Sequence, residues 1–231
     1  MNVHLLSCTE YPVDVVYAAA RQCYSAGTAS SLFHDAQPEN AGAKVSRFVE
    51  MLAARGHESP LEHASFTFSV EGVSRVTTHQ LVRHRVASYS QQSMRYVEGV
   101  PGLVDPPSVL EALQGEASEE VRAAYDAAVQ SAAVLYRTLL SAGVPAEDAR
   151  YYLPHGCASN LVVTMNAREL RHFFRVRLCS RAQWEIRELA AQMLTLVRAV
   201  AGPLFAGAGP ACVVGPCPEG SMSCGKPWSH A

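Results

Sequence analysis

The chain has 231 residues, 48% of them apolar and 17% charged, which is the make-up of one good-sized globular domain rather than of a disordered or fibrous chain. Its formal net charge of −2 weighs against a general nucleic-acid binder, which needs a broad basic surface for phosphates. No apolar run approaches the roughly 20 residues that span a bilayer, no signal segment opens the chain, and seven cysteines, an odd number, do not make a secreted disulfide framework; a cytoplasmic protein with reduced thiols and no membrane partner is expected.

Residues 2–8 read as a short opening strand with Val3, Leu5 and Leu6 on its apolar side. Pro12 stands at a helix start with Asp14 in the first turn, and Val15, Val16, Ala18, Ala19 and Cys23 carry the helical pattern to about Ser25, before Gly27. Residues 28–42 are polar and read as a loop. Residues 43–55 return to helical spacing through Val45, Phe48, Met51 and Leu52, and Gly56 closes them. The run H-E-S-P-L-E-H at 57–63 holds two histidines and two carboxylates, yet it lacks the H-E-x-x-H spacing and Pro60 breaks any helix through it, so it reads as polar loop residues lining a ligand site, with no metal assigned. Strict alternation at 66–70 predicts a half-buried strand.

Residues 74–85 are expected to form a helix that delivers Arg83, His84 and Arg85 at its end, and 86–96 to run as a loop into a strand. Three prolines and Gly102 make 101–107 a rigid connector. Ser118 is the expected cap of a long helix with Glu119 and Glu120 in its first turn, packed along Val121, Tyr125, Ala128, Ala132, Leu135 and Leu139. A further helix is expected at 145–153, carrying Arg150, then a buried strand at 160–164. One or two helices follow as far as Val200, with Leu170, Phe173, Phe174 and Leu178 on one face and Arg168, Arg171, His172, Arg175, Arg177 and Arg181 on the other. The fold class is α/β (α+β): a single domain over 1–201 with a central mixed sheet flanked by long helices, and a Cys/Gly/Pro-rich tail at 202–231. Neither G-x-G-x-x-G nor a P-loop occurs, so a Rossmann dinucleotide site is not expected.

Chemistry concentrates at 80–96, Q-L-V-R-H-R-V-A-S-Y-S-Q-Q-S-M-R-Y, where Arg83, His84, Arg85 and Arg95 stand among serines and glutamines without one acidic residue. Exposed helix faces normally intersperse glutamate with arginine. Fixed positive charges among neutral hydrogen-bonding groups suit a phosphorylated ligand with a polar ring; a solvated basic face is the plainer alternative.

R-H-R followed by seven residues and then Ser93 resembles the signature of flavin-dependent thymidylate synthases. The blocks H-E-S-P-L-E-H-A-S-F-T-F, P-A-E-D-A-R-Y-Y-L-P and N-A-R-E-L-R-H-F-F-R-V-R are similar to the same family, so the likeness runs over about 3–201. The resemblance implies an α/β homotetramer with active sites at subunit interfaces. Such a protein makes dTMP from dUMP, with 5,10-methylenetetrahydrofolate as one-carbon donor and NADPH as reductant through bound FAD. It also implies that Ser59, Arg83, His84, Arg85, Gln91, Asn166, Arg168 and His172 hold or border FAD, with Glu62 and Val86 nearby. Gln80, Arg83, Gln91, Gln92, Ser93, Met94, Arg95, Arg150 and Arg177 would hold dUMP. Arg177 is the catalytic position, a cation facing the charge that develops on the uracil when N3 loses its proton, so that C5 becomes nucleophilic. Cys23 takes the place of a flavin-touching serine, and Arg181 stands where many relatives have histidine.

Two other readings remain open on these residues: a flavin-binding relative without synthase activity, and an Arg-rich nucleic-acid module, for which only Tyr89 and Tyr96 offer stacking. In the tail, Cys212, Cys217 and Cys224, with Cys179 as a fourth, admit a zinc site, labile thiols or inert packing; their spacing contains no C-x-x-C pair.

Overall fold

The structure is a computed structural model that describes residues 1–115 and 118–228; the side chains of 38–40 and 118 lie outside the description, and with them the expected Ser118 cap. In chain order come strand β1 (Asn2–Cys8), helices α1 (Pro12–Gln22), α2 (Ala29–Ala36) and α3 (Pro38–Ala54), strand β2 (Ser65–Ser74), helix α4 (Arg75–Leu81) and strand β3 (Ala87–Gln91). Helices α5 (Pro107–Gln114), α6 (Ser118–Ser141) and α7 (Ala146–Ala149), strand β4 (Ala158–Asn166), and helices α8 (Ala167–Arg177) and α9 (Trp184–Ala201) follow. Short 3-10 turns lie at Ser59–His63, Arg150–Tyr152 and Gly202–Phe205. This is the expected α+β class. The strands form one sheet in the order β1-β2-β4-β3. Its neighbours run antiparallel: Thr9 N–H donates to Ser65 O at 2.9 Å, Ala167 N–H to Ala64 O at 2.8 Å and Gln92 N–H to Asn160 O at 2.9 Å, each joining the end of one strand to the start of the next.

The chain divides into two compact units, Met1–Asn2, Val70–Arg83 and Ser90–Leu161 in the first, and Val3–Ser69, His84–Tyr89 and Val162–Ala231 in the second. The core of the second unit is aromatic. Alternation along β2 turns Phe66 and Phe68 fully inward, and the helical spacing of α8 does the same for Leu170, Phe173 and Phe174. Phe205 packs edge-on against Phe66 at 5.4 Å and Phe174 at 6.0 Å between ring centroids. The start of the Cys/Gly/Pro-rich tail is therefore docked core, with Leu204 and Phe205 wholly buried. Gly56, at φ +75°, ends α3 as expected.

Several elements differ from expectation. The polar stretch 28–42 is not a loop: Thr28 accepts the Ser31 N–H and caps α2, whose Phe33 ring meets Tyr11 at 6.3 Å, and Pro38 starts α3. Tertiary packing makes helix out of a sequence whose serines favour caps and turns. Helix α5 was not expected either. Helix α4 stops at Leu81, so the Arg-His-Arg group follows the helix instead of ending it, with His84 buried and Arg83 and Arg85 exposed. The helix expected at 145–153 is split into α7 and the 3-10 turn that carries Arg150.

The core of the first unit is built on α6. Tyr136 is 1% exposed and clusters with Ala149, Leu153 and Cys157, and Met94, Leu139 and Leu140 pack on the cluster. The buried stripe shares Tyr125, Ala132 and Leu139 with the expected one but runs through Val129 and Tyr136 where Ala128 and Leu135 were expected, leaving Leu135 and Val121 exposed. The larger Tyr136 ring wins the inward position, and its hydroxyl accepts the Gly99 N–H at 3.4 Å.

Candidate active site

In the first unit the expected site residues come from short segments at element ends. Ser74 caps α4 by accepting the Thr77 N–H at 3.1 Å, and the helix carries Thr78, His79 and Gln80. Gln91 closes β3, and Arg150 opens the turn after α7. With Met94, Tyr151 and His155 these residues line a cavity of about 720 Å³. Gln80, Gln91, Met94 and Arg150 thus share one space. The Gln91 Nε2 donates to Thr78 Oγ1 at 3.3 Å and to Ser159 Oγ at 3.1 Å, which commits the amide nitrogen and leaves the carbonyl oxygen as the acceptor for a ligand.

Glu147 was not expected at the site and organises it. Its backbone oxygen accepts the Arg150 Nε–H at 3.0 Å, and its carboxylate accepts the Arg95 Nε–H at 2.8 Å. Two guanidinium groups of the expected phosphate set are thereby tethered to one residue. Side chains of the Arg95–Glu147 pair are 50% and 47% exposed, so the pair is worth about 0.2–1 kcal/mol and yields readily to a phosphate dianion. Ser93 Oγ accepts the Arg95 N–H at 3.2 Å. Gln92, Ser93 and Met94 line a second cavity of about 310 Å³ with Asn160, whose Nδ2 donates to Gln92 Oε1 at 3.3 Å. Arg83 is exposed, 3.5 Å from His79 Nε2, and pairs with no carboxylate among the described residues.

In the second unit, α8 begins at Asn166, which caps it by accepting the Glu169 N–H at 2.9 Å. The first two turns of α8 and the 3-10 turn Ser59–His63 bring Asn166, Arg168 and His172 together with Glu58, Glu62 and Val86 around a cavity of about 430 Å³. Arg168 is held by Glu62 and, at 3.6 Å, by Glu58, both through exposed side chains. Ser59 and Arg85 are exposed and line neither this cavity nor those of the first unit.

Behind this cavity lies a buried relay. Arg177 Nε can only donate, so His84 Nε2, 3.0 Å away, accepts. The proton of the neutral ring is then on Nδ1, which donates to Glu169 Oε1 at 3.1 Å. His84 is held neutral, its pKa lowered to about 4 by burial first and then by the Arg177 and His172 charges; burial raises the Glu169 carboxyl. Tyr89 donates its hydroxyl to the His84 carbonyl at 2.8 Å and the Phe173 ring stands edge-on to the imidazole at 4.9 Å. Among the described residues His84, Glu169 and His172 are the one group whose ligand atoms all lie within 4.8 Å of one another. Both His84 nitrogens are nevertheless committed, and an arginine proton occupies the lone pair a metal would need, so the group is a hydrogen-bond relay. Glu169 was missed because its place three residues after an N-cap asparagine marks it as a capping residue.

The basic face expected on α8 is divided. Arg171 donates to the backbone oxygens of Leu204 and Ala206 at 2.9 and 3.0 Å, and Arg181 donates to Met222 O at 2.8 Å. These two arginines clamp the C-terminal segment.

A family profile described as "Thymidylate synthase complementing protein" matches residues 4–202. The chain is 50% identical over 230 residues to the flavin-dependent thymidylate synthase of Geobacter sulfurreducens, covering 98% of this chain and 94% of that one. It is 47% identical over 240 residues to the protein of that name from Clostridium tetani, with coverage of 98% and 94%, and 45% identical over 238 residues to that of Nitratidesulfovibrio vulgaris, with 97% and 94%. With its central arginines, its capped α8 and nearly full-length likeness to these proteins, the chain belongs to the thymidylate synthase complementing protein family.

Proposed function

We propose that this protein is a flavin-dependent thymidylate synthase that converts dUMP to dTMP, with 5,10-methylenetetrahydrofolate as one-carbon donor, NADPH as reductant and FAD as bound cofactor. The observation that carries this reading is the convergence of Gln80, Gln91, Met94 and Arg150 on one cavity with Arg95 tethered beside Arg150 through Glu147. Arg95, Arg150 and Ser93 take the nucleotide phosphate with charge-assisted and hydroxyl donors, and Gln80, Gln91 and Gln92 supply amides for the base and sugar.

The donor set of the second unit suits a flavin dinucleotide, since a guanidinium and an imidazole at the mouth of one cavity complement a pyrophosphate, and the exposed Glu58 and Glu62 partners of Arg168 are readily displaced. Asn166, Arg168 and His172 would hold it, with Ser59 and Arg85 as further contacts and the buried His84 fixing the wall behind them. When bound, FAD supplies the hydride chemistry that no side chain here performs. Arg177 acts on the pyrimidine: its guanidinium, with one edge fixed by His84, stabilises negative charge on the ring after N3 is deprotonated and so raises the nucleophilicity of C5. The active assembly is a cytoplasmic homotetramer with sites completed between copies.

Incubation with dUMP, methylenetetrahydrofolate, NADPH and FAD is expected to yield dTMP. Flavin bound but no dTMP under any reductant would leave a flavin-binding relative without synthase activity.

A further inference from the structure

Four of the seven cysteines converge in a part of the second unit that the proposed reaction does not use. Cys179, in the connection between α8 and α9, and Cys212, Cys217 and Cys224, in the C-terminal segment, line one cavity of about 270 Å³. None of them is in a disulfide. Apart from Glu219, which meets Arg181 at 3.5 Å, the wall has no acidic side chain; it is otherwise largely Gly, Pro, Ser and Trp228.

The surroundings suit sulfur that carries charge. The Trp228 N–H donates to Cys212 Sγ and the Lys226 N–H to Cys224 Sγ, each at 3.4 Å. Arg181 and Lys226 place two cations at the wall, and the Arg181 bond to Met222 O fastens the loop between Cys217 and Cys224. Gly209, at φ +154°, lets the segment close, since a Cβ there would stand 2.8 Å from Val213 Cγ2 and 3.1 Å from Trp228 Cζ3.

We propose that this cavity is a tetrathiolate site for Zn²⁺, with Cys179, Cys212, Cys217 and Cys224 as its four ligands. Soft thiolates in a tetrahedral set favour zinc over magnesium or calcium. Binding exchanges four S–H protons for four Zn–S bonds, releases four protons to solvent and leaves a complex of charge −2, which Arg181, Lys226 and the two backbone N–H groups offset. A Zn–S bond of about 2.3 Å sets the sulfurs about 3.8 Å apart. The cysteine sulfurs are not among the ligand atoms that already lie within 4.8 Å of one another, so they draw together on binding, around Gly220 and Gly225 at φ +52° and +68°. The role is structural: a segment short of regular structure gains a cross-link to the α8–α9 connection.

The test uses the full chain purified under reducing, oxygen-free conditions without chelator. Elemental analysis is expected to give one zinc per chain, and exchange with Co²⁺ to give thiolate-to-cobalt charge-transfer absorption with the d–d bands of a tetrahedral site. Cys217→Ser and Cys224→Ser are each expected to lower metal affinity at least about tenfold, with circular dichroism as the check that α-helix content is kept. The wild-type cobalt spectrum decides the matter even if a variant fails to fold. Zinc and cobalt both absent, a cobalt spectrum without sulfur bands, metal retained in full by both variants, or a disulfide among the four cysteines would each overturn the proposal. All of these readouts are independent of flavin and dUMP.

Discussion

Replacing Glu169 by leucine removes the one acceptor that the structure gives the His84 Nδ1–H, in a place where His84 is 5% and Glu169 9% exposed. A buried donor left without a partner costs about 1–3 kcal/mol. Leucine also relieves the desolvation of a carboxyl group whose pKa burial already raises, so the net loss is about 1–2 kcal/mol. The imidazole can escape that loss only by moving its proton to Nε2, which then confronts the Arg177 Nε–H donor 3.0 Å away and drives the guanidinium out of register. Turnover of dUMP is therefore expected to fall about 10- to 100-fold, the usual effect of losing an orienting partner, and mainly in kcat, because the phosphate contacts lie on other residues. Glu169→Gln keeps a carbonyl acceptor for Nδ1–H and should stay within a few-fold of wild type. Urea unfolding and initial rates over a range of dUMP concentrations measure both effects. A leucine variant with wild-type urea midpoint and kcat, or a glutamine variant as impaired as leucine, would refute the relay.

Acid should weaken the fold through His84. Its pKa of about 4 lies below the ordinary 6.5, so between those values the unfolded chain takes up a proton that the native protein refuses. Stability is full above about pH 6.5 and falls as pH drops, by at most about 3 kcal/mol, with the raised Glu169 carboxyl working in the opposite direction; urea midpoints at neutral and acid pH should converge in His84→Asn. Arg150→Ala removes a guanidinium that faces the large cavity of the first unit and is not spent on a carboxylate. Titration with dUMP should show affinity reduced about 10- to 100-fold with the urea midpoint nearly unchanged, and undiminished affinity would remove Arg150 from the phosphate site. Gly209→Ala forces a side chain into left-handed backbone against Val213 and Trp228 and should cost about 1–3 kcal/mol. Limited proteolysis is expected to cut that segment first, whereas wild-type resistance would show that the close approach is not needed.

Much of the secondary structure was legible because it is written in local periodicity. Alternating Phe66, Phe68 and Val70 announce a strand, and the Leu170, Phe173 and Phe174 spacing announces a helix, since the backbone itself imposes repeats of two and 3.6 residues. The same local logic misread α2, whose serines favour caps and turns and whose helix is capped by Thr28 and packed through Phe33 on Tyr11. It placed the α6 stripe one residue off at alternate turns, because an alanine-rich helix offers several nearly equal faces and only the partner surface selects the one bearing Tyr136.

The site divides along the same line. Residue types and spacing in 80–96 indicated an anionic ligand, because clustered guanidinium groups without acids have few other uses. Which arginines stay available was not legible. Arg95 and Arg168 meet glutamates distant in sequence, Arg171 and Arg181 are spent on backbone oxygens of the C-terminal segment, and Glu169 bonds a buried histidine 85 residues away. The four cysteines were countable from the outset, and their meeting in one cavity required the chain to fold back on the α8–α9 connection. Sequence alone determined most of the element types and pointed to an anionic ligand, because both readings depend on near neighbours. Tertiary structure decided which helix face is buried, which charges are neutralised and which thiols meet, because burial and Coulomb energy depend on distance in space and not on distance along the chain.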